Sequence, residues 1–235
     1  MRLLHVSDFH CHRPWFSWLA THAGECDACC LTGDLLDLFL DSRPRKRITL
    51  SHQSRWVRDW LEAWTGPPLY VCSGNHDAWL PAEGGDDPLA RLGFLRLAAA
   101  ANARIKIDGT DEVFGGHRFV CCPWGRVPTL AETPDPVVLL SHTPPDGTQV
   151  AAGGMGSGAA EMDLADAVRR LPAGSLVLSG HVHHPARWHD RLGVAVCFNP
   201  GVDESAEVPC HIVIDTARCT AVFHEDEESR GPIGW

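Results

Sequence analysis

The sequence predicts an α/β domain, on three observations. Short apolar runs rich in β-branched residues recur along the chain, helical stretches lie between them, and five of the runs end in clusters of polar residues. Runs of this length and content read as strands buried on both faces.

In chain order, Leu3-Leu4-His5-Val6 is the first strand and runs into Ser7-Asp8-Phe9-His10. Pro14 to Ala23, with Trp15, Phe16, Trp18 and Leu19, predicts a helix. Ala28-Cys29-Cys30-Leu31 is the second strand, running into Thr32-Gly33-Asp34. Ser54 to Trp64 predicts a second helix with Trp56, Trp60 and Trp64 on one face, a stripe that reads as core rather than as a binding platform. Leu69-Tyr70-Val71-Cys72 runs into Ser73-Gly74-Asn75-His76-Asp77, and Asp87 to Ala101 is a Leu- and Ala-rich helix. Hairpin-like pieces follow at Arg118 to Pro123 and at His211–Asp215 with Cys219–His224. Between them Val137-Val138-Leu139-Leu140 runs into Ser141-His142, Glu161 to Leu171 is helical up to the stop at Pro172, and Leu176-Val177-Leu178 runs into Ser179-Gly180-His181-Val182-His183. There is no internal repeat and no linker. The reading is a single domain over residues 1–224 and an acidic, flexible C-terminal tail over 225–235.

Charge and composition exclude several classes of function. A net charge of −10 disfavours broad attraction to nucleic acid or anionic membranes, so nucleic acid is a compatible but not a favoured partner. The basic stretch Arg43 to Arg58 could hold a phosphate-bearing substrate, but reads more simply as a solvated helix face. No apolar run reaches the ~20 residues that span a bilayer, and the opening strand does not look like a secretory signal, so a cytoplasmic protein is expected. The ten cysteines sit largely inside apolar runs and suggest no disulfide framework. Cys26 and Cys29 form a C-x-x-C without a second pair, which reads as core packing. The Gly153–Gly158 stretch lacks the Lys-Ser/Thr ending of a phosphate-binding loop and is expected to be a mobile loop over the site.

The strand endings carry the chemistry. Ligands of open α/β sheets bind beyond the carboxyl ends of the strands, and here five strands deliver Asp8, His10, Asp34, Asn75, His142, His181 and His183 to such ends. Any one of these is an ordinary turn residue; five coincident endings are not explained by turn chemistry. Carboxylate oxygen and imidazole nitrogen without thiolate suit Mn2+, Fe or Zn2+ better than Ca2+. Seven ligands exceed the needs of one tetrahedral ion and suffice for two divalent metal ions if one carboxylate bridges them.

Asp8-Phe9-His10, Gly33-Asp34, Gly74-Asn75-His76-Asp77, Ser141-His142 and Gly180-His181-Val182-His183 resemble, in order and rough spacing, the five motifs of the calcineurin-like metallophosphoesterase superfamily. The resemblance implies a four-layer α/β/β/α sandwich with two central mixed sheets. It also implies that Asp8, His10 and His183 hold one metal, that Asn75, His142 and His181 hold the other, and that Asp34 bridges. His76 would be a catalytic acid beside the metals and Asp77 would orient its ring. The implied reaction is hydrolysis of a small phosphoester by a metal-bridging hydroxide.

Two features refine the expectation. Members that act on phosphoproteins carry Gly-Asp-x-Val-Asp-Arg-Gly, whereas this chain reads Gly33-Asp34-Leu35-Leu36-Asp37-Leu38-Phe39. Without that Arg clamp, and with no room for a cap domain, phosphodiesters are favoured over monoesters. Asp37 itself reads as part of an apolar helix start, and His12 and His184 as solvated loop residues. A phosphomonoesterase, a nuclease and a non-catalytic scaffold are the alternatives; intact ligands and His76 argue against the last.

Overall fold

The computed structural model describes residues 1–39, 48–79, 93–128, 130, 133–154, 164–226 and 228–235. The strands are β1 (Arg2–Val6), β2 (Ala28–Thr32), β3 (Leu69–Cys72), β4 (Ile105–Lys106), β5 (Asp111–Phe114), β6 (His117–Cys121), β7 (Val137–Leu140), β8 (Leu176–Leu178), β9 (His189–Leu192), β10 (Ala195–Phe198), β11 (His211–Asp215), β12 (Thr220–Glu225) and β13 (Glu228–Gly234). The helices are α1 (Arg13–His22), α2 (Leu50–Glu62), α3 (Gly93–Ala101) and α4 (Leu164–Arg169).

The strands form two sheets, a seven-stranded one in the order β13-β12-β11-β1-β2-β3-β4 and a six-stranded one in the order β5-β6-β7-β8-β10-β9. Both are mixed: β1 to β4 are parallel and β11 joins β1 antiparallel, while β6, β7, β8 and β10 are parallel between antiparallel edges.

Period-two alternation explains the layers. Leu3, Cys30, Tyr70 and Cys72 face inward and meet Phe119, Cys121, Leu140, Leu178 and Phe198 of the second sheet. Tyr70 stacks on Phe119 across this gap, with centroids 4.1 Å apart. The alternate residues Leu4, Val6, Cys29, Leu31 and Val71 face outward, against Phe16 and Leu19 of α1, Val57 and Leu61 of α2, and Leu95 of α3. On the far side Val120, Leu139 and Val177 pack against Leu164 and Val168 of α4. The result is the four-layer α/β/β/α sandwich, with β2, β3, β7, β8 and β10 buried on both faces as their apolar runs require.

Helix α2 begins at the Thr49 cap, earlier than the Trp stripe suggested, and Trp56 and Trp60 lie edge-on to Phe16 at 5.1 and 5.0 Å. The first residues of the two other expected helices, 87–92 and 161–163, lie outside the described residues; α3 and α4 are their described parts. All ten cysteines are free thiols. Of the Arg43–Arg58 stretch, Arg55 and Arg58 lie on α2, where Arg58 pairs with Asp59 and Glu62; residues 43–47 lie outside the described residues. So do residues 155–158 of the Gly153–Gly158 stretch. Gly153 and Gly154 are described, and both are tied to the loop after β8, through Pro185 and the His184 carbonyl. Among the described residues no helix is long and apolar enough to cross a membrane.

The stretch 225–235, expected as an acidic tail, carries a strand. Residues Glu228–Gly234 form β13, paired along β12, because the acidic charge is locally neutralised and the end is anchored in the core. Arg230 pairs with Glu225 at 2.9 Å, and Trp235 lies edge-on to Phe198 at 5.8 Å.

Candidate metal centre

The five polar endings converge because β1, β2, β3, β7 and β8 all point their carboxyl ends toward one edge of the sandwich. The loops after β1 and β2 are laced together by backbone bonds, Asp8 N–H to Gly33 O at 3.2 Å, His10 N–H to Asp34 O at 2.8 Å and Cys11 N–H to Leu35 O at 2.8 Å. Within the second sheet Gly180 N–H donates to His142 O at 3.0 Å; across the sheets the Asp8 carboxylate accepts the His181 N–H at 3.0 Å, and it also accepts the neighbouring Ser7 hydroxyl.

Tight approach requires glycine at two of these endings. A Cβ on Gly74 would collide with the Asp34 carboxylate, and one on Gly180 with Ser7 Oγ and Asp8 Oδ2. Asp8, His10, Asp34 and His181 also adopt left-handed backbone, with φ of 54°, 43°, 50° and 65°. Non-glycine residues in this region cost about 1–3 kcal/mol each, and such conformations cluster at functional sites.

The side chains then form adjoining groups of donors. One oxygen of Asp8 and one ring nitrogen each of His10 and His183 lie within 4.8 Å of one another, as do donor atoms of Asp8, Asp34 and His142. His10 Nε2 and His183 Nε2 face each other at 3.1 Å. Asn75 Oδ1 sits 3.1 Å from His142 Nε2 and 3.0 Å from His181 Nδ1. Asp34 Oδ2 lies 3.3 Å from His142 Nε2 and 3.8 Å from His76 Nε2. All seven sequence-predicted ligands are therefore brought together. Asp8 is common to the first two groups, while Asp34 stands between His142 and His76.

These donors fit a bound cation. His142 Nδ1 donates to Thr32 O at 2.7 Å, which turns the Nε2 lone pair toward two oxygens, Asp34 Oδ2 and Asn75 Oδ1. Lone pairs aimed at one another are repulsive unless positive charge lies among them, a proton on Nε2 or, in its place, a metal ion. Burial alone would lower the His142 pKa, yet the Asp34 and Asp8 carboxylates outweigh it and push it up to about 10. Burial likewise opposes ionisation of Asp34, but His142 overrides it and holds that carboxyl well below its usual range. Among the described residues the buried ring atoms His10 Nδ1 and His181 Nε2 have no hydrogen-bond partner, so neither ring is committed there by that nitrogen.

His76 is in place but is held differently from the sequence expectation. Its Nδ1 accepts the Leu38 N–H at 3.2 Å, which leaves the proton on Nε2, the nitrogen turned to Asp34. Burial lowers its pKa, with the Asp34 charge opposing. Among the described residues no hydrogen bond joins Asp77 to this ring. Its two oxygens accept the Leu36 N–H at 3.1 Å and the Gly74 N–H at 2.9 Å, so it fastens the loop after β3 to the loop after β2. Burial and the neighbouring Asp34 charge push the Asp77 pKa up, and these two amides oppose the shift.

A second carboxylate beside His76, besides Asp34, is Asp37, whose oxygen lies within 4.8 Å of ring nitrogens of His10 and His76. Asp37 lies outside the described helices. The buried Gln53 of α2 clasps its backbone, accepting Asp37 N–H at 2.8 Å and donating to Asp37 O at 2.9 Å. The signal for Asp37 was its spacing from Asp34. Trp124 carried no motif, yet its ring closes one side of the site, 5.5 Å from His142 and 5.4 Å from His181. His12 packs against Trp15 at 4.5 Å, and His184 is exposed.

Comparison with known proteins places this geometry. A family model described as calcineurin-like phosphoesterase matches residues 1–185. No curated protein matches the sequence. Among solved structures, TT1561 of Thermus thermophilus superposes with a TM-score of 0.58 at 15% identity, over 94% of this chain and 92% of its own. The purple acid phosphatase PPD1 of yellow lupin, Lupinus luteus, superposes with a TM-score of 0.52 at 11% identity, over 98% of this chain and 51% of its own. At these identities the likeness is one of fold.

Proposed function

The chain belongs to the calcineurin-like phosphoesterase family, and we propose that it hydrolyses small phosphoesters, phosphodiesters in preference to monoesters, at a centre of two divalent ions, Mn2+ or Fe with Zn2+ also suited. The observation that carries this reading is the convergence of seven O and N donors from five strand ends on adjoining groups.

Asp8, His10 and His183 would hold one ion, Asn75, His142 and His181 the other, with Asp34 between them. Divalent ions bound there supply positive charge against the non-bridging phosphoryl oxygens and lower the pKa of water, so that hydrolysis needs no covalent enzyme intermediate. The chain's own groups do the rest. The Leu38 amide fixes the His76 tautomer, so that Nε2 presents a proton to the ester oxygen that leaves as its P–O bond breaks. The Asp34 and Asp37 carboxylates beside the ring favour its reprotonation, and Gln53 holds the Asp37 backbone in place. The Trp124 ring shields the His142 and His181 side from water. Preference for diesters is supported by Leu38 and Phe39, uncharged residues where an Arg clamp for a terminal phosphate would stand.

The test is metal content measured beside Mn2+-dependent hydrolysis of bis(p-nitrophenyl) phosphate and p-nitrophenyl phosphate. Close to two ions per chain are expected, with faster diester turnover, and His76→Ala should retain metal while losing at least ~100-fold in kcat. Folded protein that binds no metal and cleaves neither ester would overturn the reading; faster monoester turnover would overturn the diester preference.

A further inference from the structure

Beside the metal centre lies a second feature that the chemistry above does not use. A cavity of about 460 Å3 is lined by His183 at one end and by Arg187, Trp188, Phe223, Glu225 and Arg230 further out. It falls within the range of small-molecule sites, roughly 300–1,000 Å3. Its walls are the loop after β8, the loop after β10, and the β12–β13 edge.

These walls are fixed in advance. Buried Asn199 donates to Gly180 O and to Val182 O, both at 3.0 Å, and accepts the Gly201 N–H at 2.8 Å. Val202 N–H closes onto His183 O at 2.7 Å. The loop that carries His183 and the loop opposite it are thus one rigid unit.

The chemistry of the lining points to an anion rather than a base or an apolar group. Two arginines line one small cavity on a chain whose net charge is −10. Among the described residues Arg187 makes no ion pair, while Arg230 is held by Glu225 at 2.9 Å. The aromatic faces are already occupied. Trp188 stacks on Phe198 at 6.1 Å and on Phe223 at 5.8 Å, and Arg230 lies over Phe223 at 5.7 Å. Trp188 therefore offers the cavity an edge, and its Nε1–H has no acceptor among the described residues. The Trp188 and Phe223 faces are thus taken up by these contacts, and guanidinium and indole donors are left for an acceptor.

We propose that this cavity binds an ester arm of the substrate, and that this arm carries a second anionic group, a carboxylate or a further phosphate, recognised by Arg187, Arg230 and the Trp188 N–H. The proposal rests on the phosphoesterase reading, because it takes the first phosphoryl group to lie at the metal centre beside His183.

Calorimetric titration of Mn2+-loaded His76→Ala protein, which should bind without turning over, tests it with three ligands: glucitol 6-phosphate, 6-phosphogluconate and glucitol 1,6-bisphosphate. At least one ligand with a charged far end should bind about tenfold or more tightly than glucitol 6-phosphate, and the larger ratio identifies the anion. Arg187→Ala and Arg230→Ala, both at exposed positions, should each reduce that ratio to about threefold or less. Glu225→Gln should raise it by releasing Arg230, an outcome that loss of structure would not produce. Equal affinities for all three ligands, or a ratio untouched by both Arg substitutions, would overturn the proposal. Parallel assay of wild-type protein on bis(p-nitrophenyl) phosphate separates the two ideas. Turnover with equal affinities sinks the cavity alone, and a charge-dependent ratio without turnover sinks the hydrolase alone.

Discussion

Replacement of Asp77 separates two accounts of the same carboxylate. If it acts as a clasp, Asp77→Ala leaves the Leu36 and Gly74 amides buried without acceptors. An orphaned buried donor costs about 1–3 kcal/mol, so the pair should cost roughly 2–6 kcal/mol. For a chain of this length each kcal/mol moves Tm by about 2–4 °C, which gives a fall of roughly 4–24 °C. Asp77→Asn keeps one oxygen and turns an NH2 toward the other donor, so about half the loss is expected. The assay is thermal and urea denaturation in EDTA, so that changed metal affinity does not enter the comparison. The clasp account is refuted if Asp77→Ala melts within about 1 °C of wild type. It is replaced by the ring-orienting account if the same variant, equally stable, loses kcat and shows a shifted pH profile.

Two further outcomes follow from the same geometry. Gly180→Ala pushes a methyl into Ser7 Oγ and Asp8 Oδ2 and should weaken Mn2+ binding by about 10–100-fold, read by calorimetric metal titration; unchanged affinity would show that Asp8 does not need its present position. Asp108 is half-buried; its Oδ1 accepts the Ser73 N–H, its buried Oδ2 has no partner among the described residues, and burial raises its pKa from 3.8 to about 6. A raised acid pKa is stabilising below the unfolded value and loses that contribution as pH rises through the folded value. Asp108→Asn should therefore match wild type below about pH 4 and exceed it by up to about 3 kcal/mol above pH 6. A urea-denaturation difference that does not grow between those limits would exclude this titration.

Much of the site was legible because each ligand type sits at the end of a strand that the apolar runs already reveal. The layers were legible too, since Leu3 and Leu4, or Cys29 and Cys30, are adjacent apolar residues that point to opposite faces, so both faces must be covered. What escaped was set by three-dimensional proximity. Asp37 looks like a helix start in Leu35-Leu36-Asp37-Leu38-Phe39 until Gln53, sixteen residues on, clasps its backbone. Asp77 adjoins His76 in sequence, and adjacency suggested contact, but successive side chains in a turn diverge, and its carboxylate went to two amides instead. Trp124 belongs to no motif and acquires its position from the β6 register and from the Ser73 hydroxyl that accepts its backbone N–H at 3.0 Å. The β13 strand was hidden by composition, because acidic residues disfavour strands only until an arginine and a core tryptophan answer them.

The placement of β1 also has a consequence for how the chain is made. β1 lies in the middle of its sheet, between β2 and β11, and carries Asp8 and His10 at its end. Its partner on one side is synthesised within some thirty residues, but Val6 pairs with His211, about 200 residues later. At roughly 5–20 residues per second a ribosome takes about 10–40 s to cover that distance. Throughout that interval the strand that begins the metal centre presents an open edge, and pairings of such sequence separation close slowly even once both partners exist. Nascent chains of this protein should accordingly depend on a chaperone that covers that edge until β11 arrives.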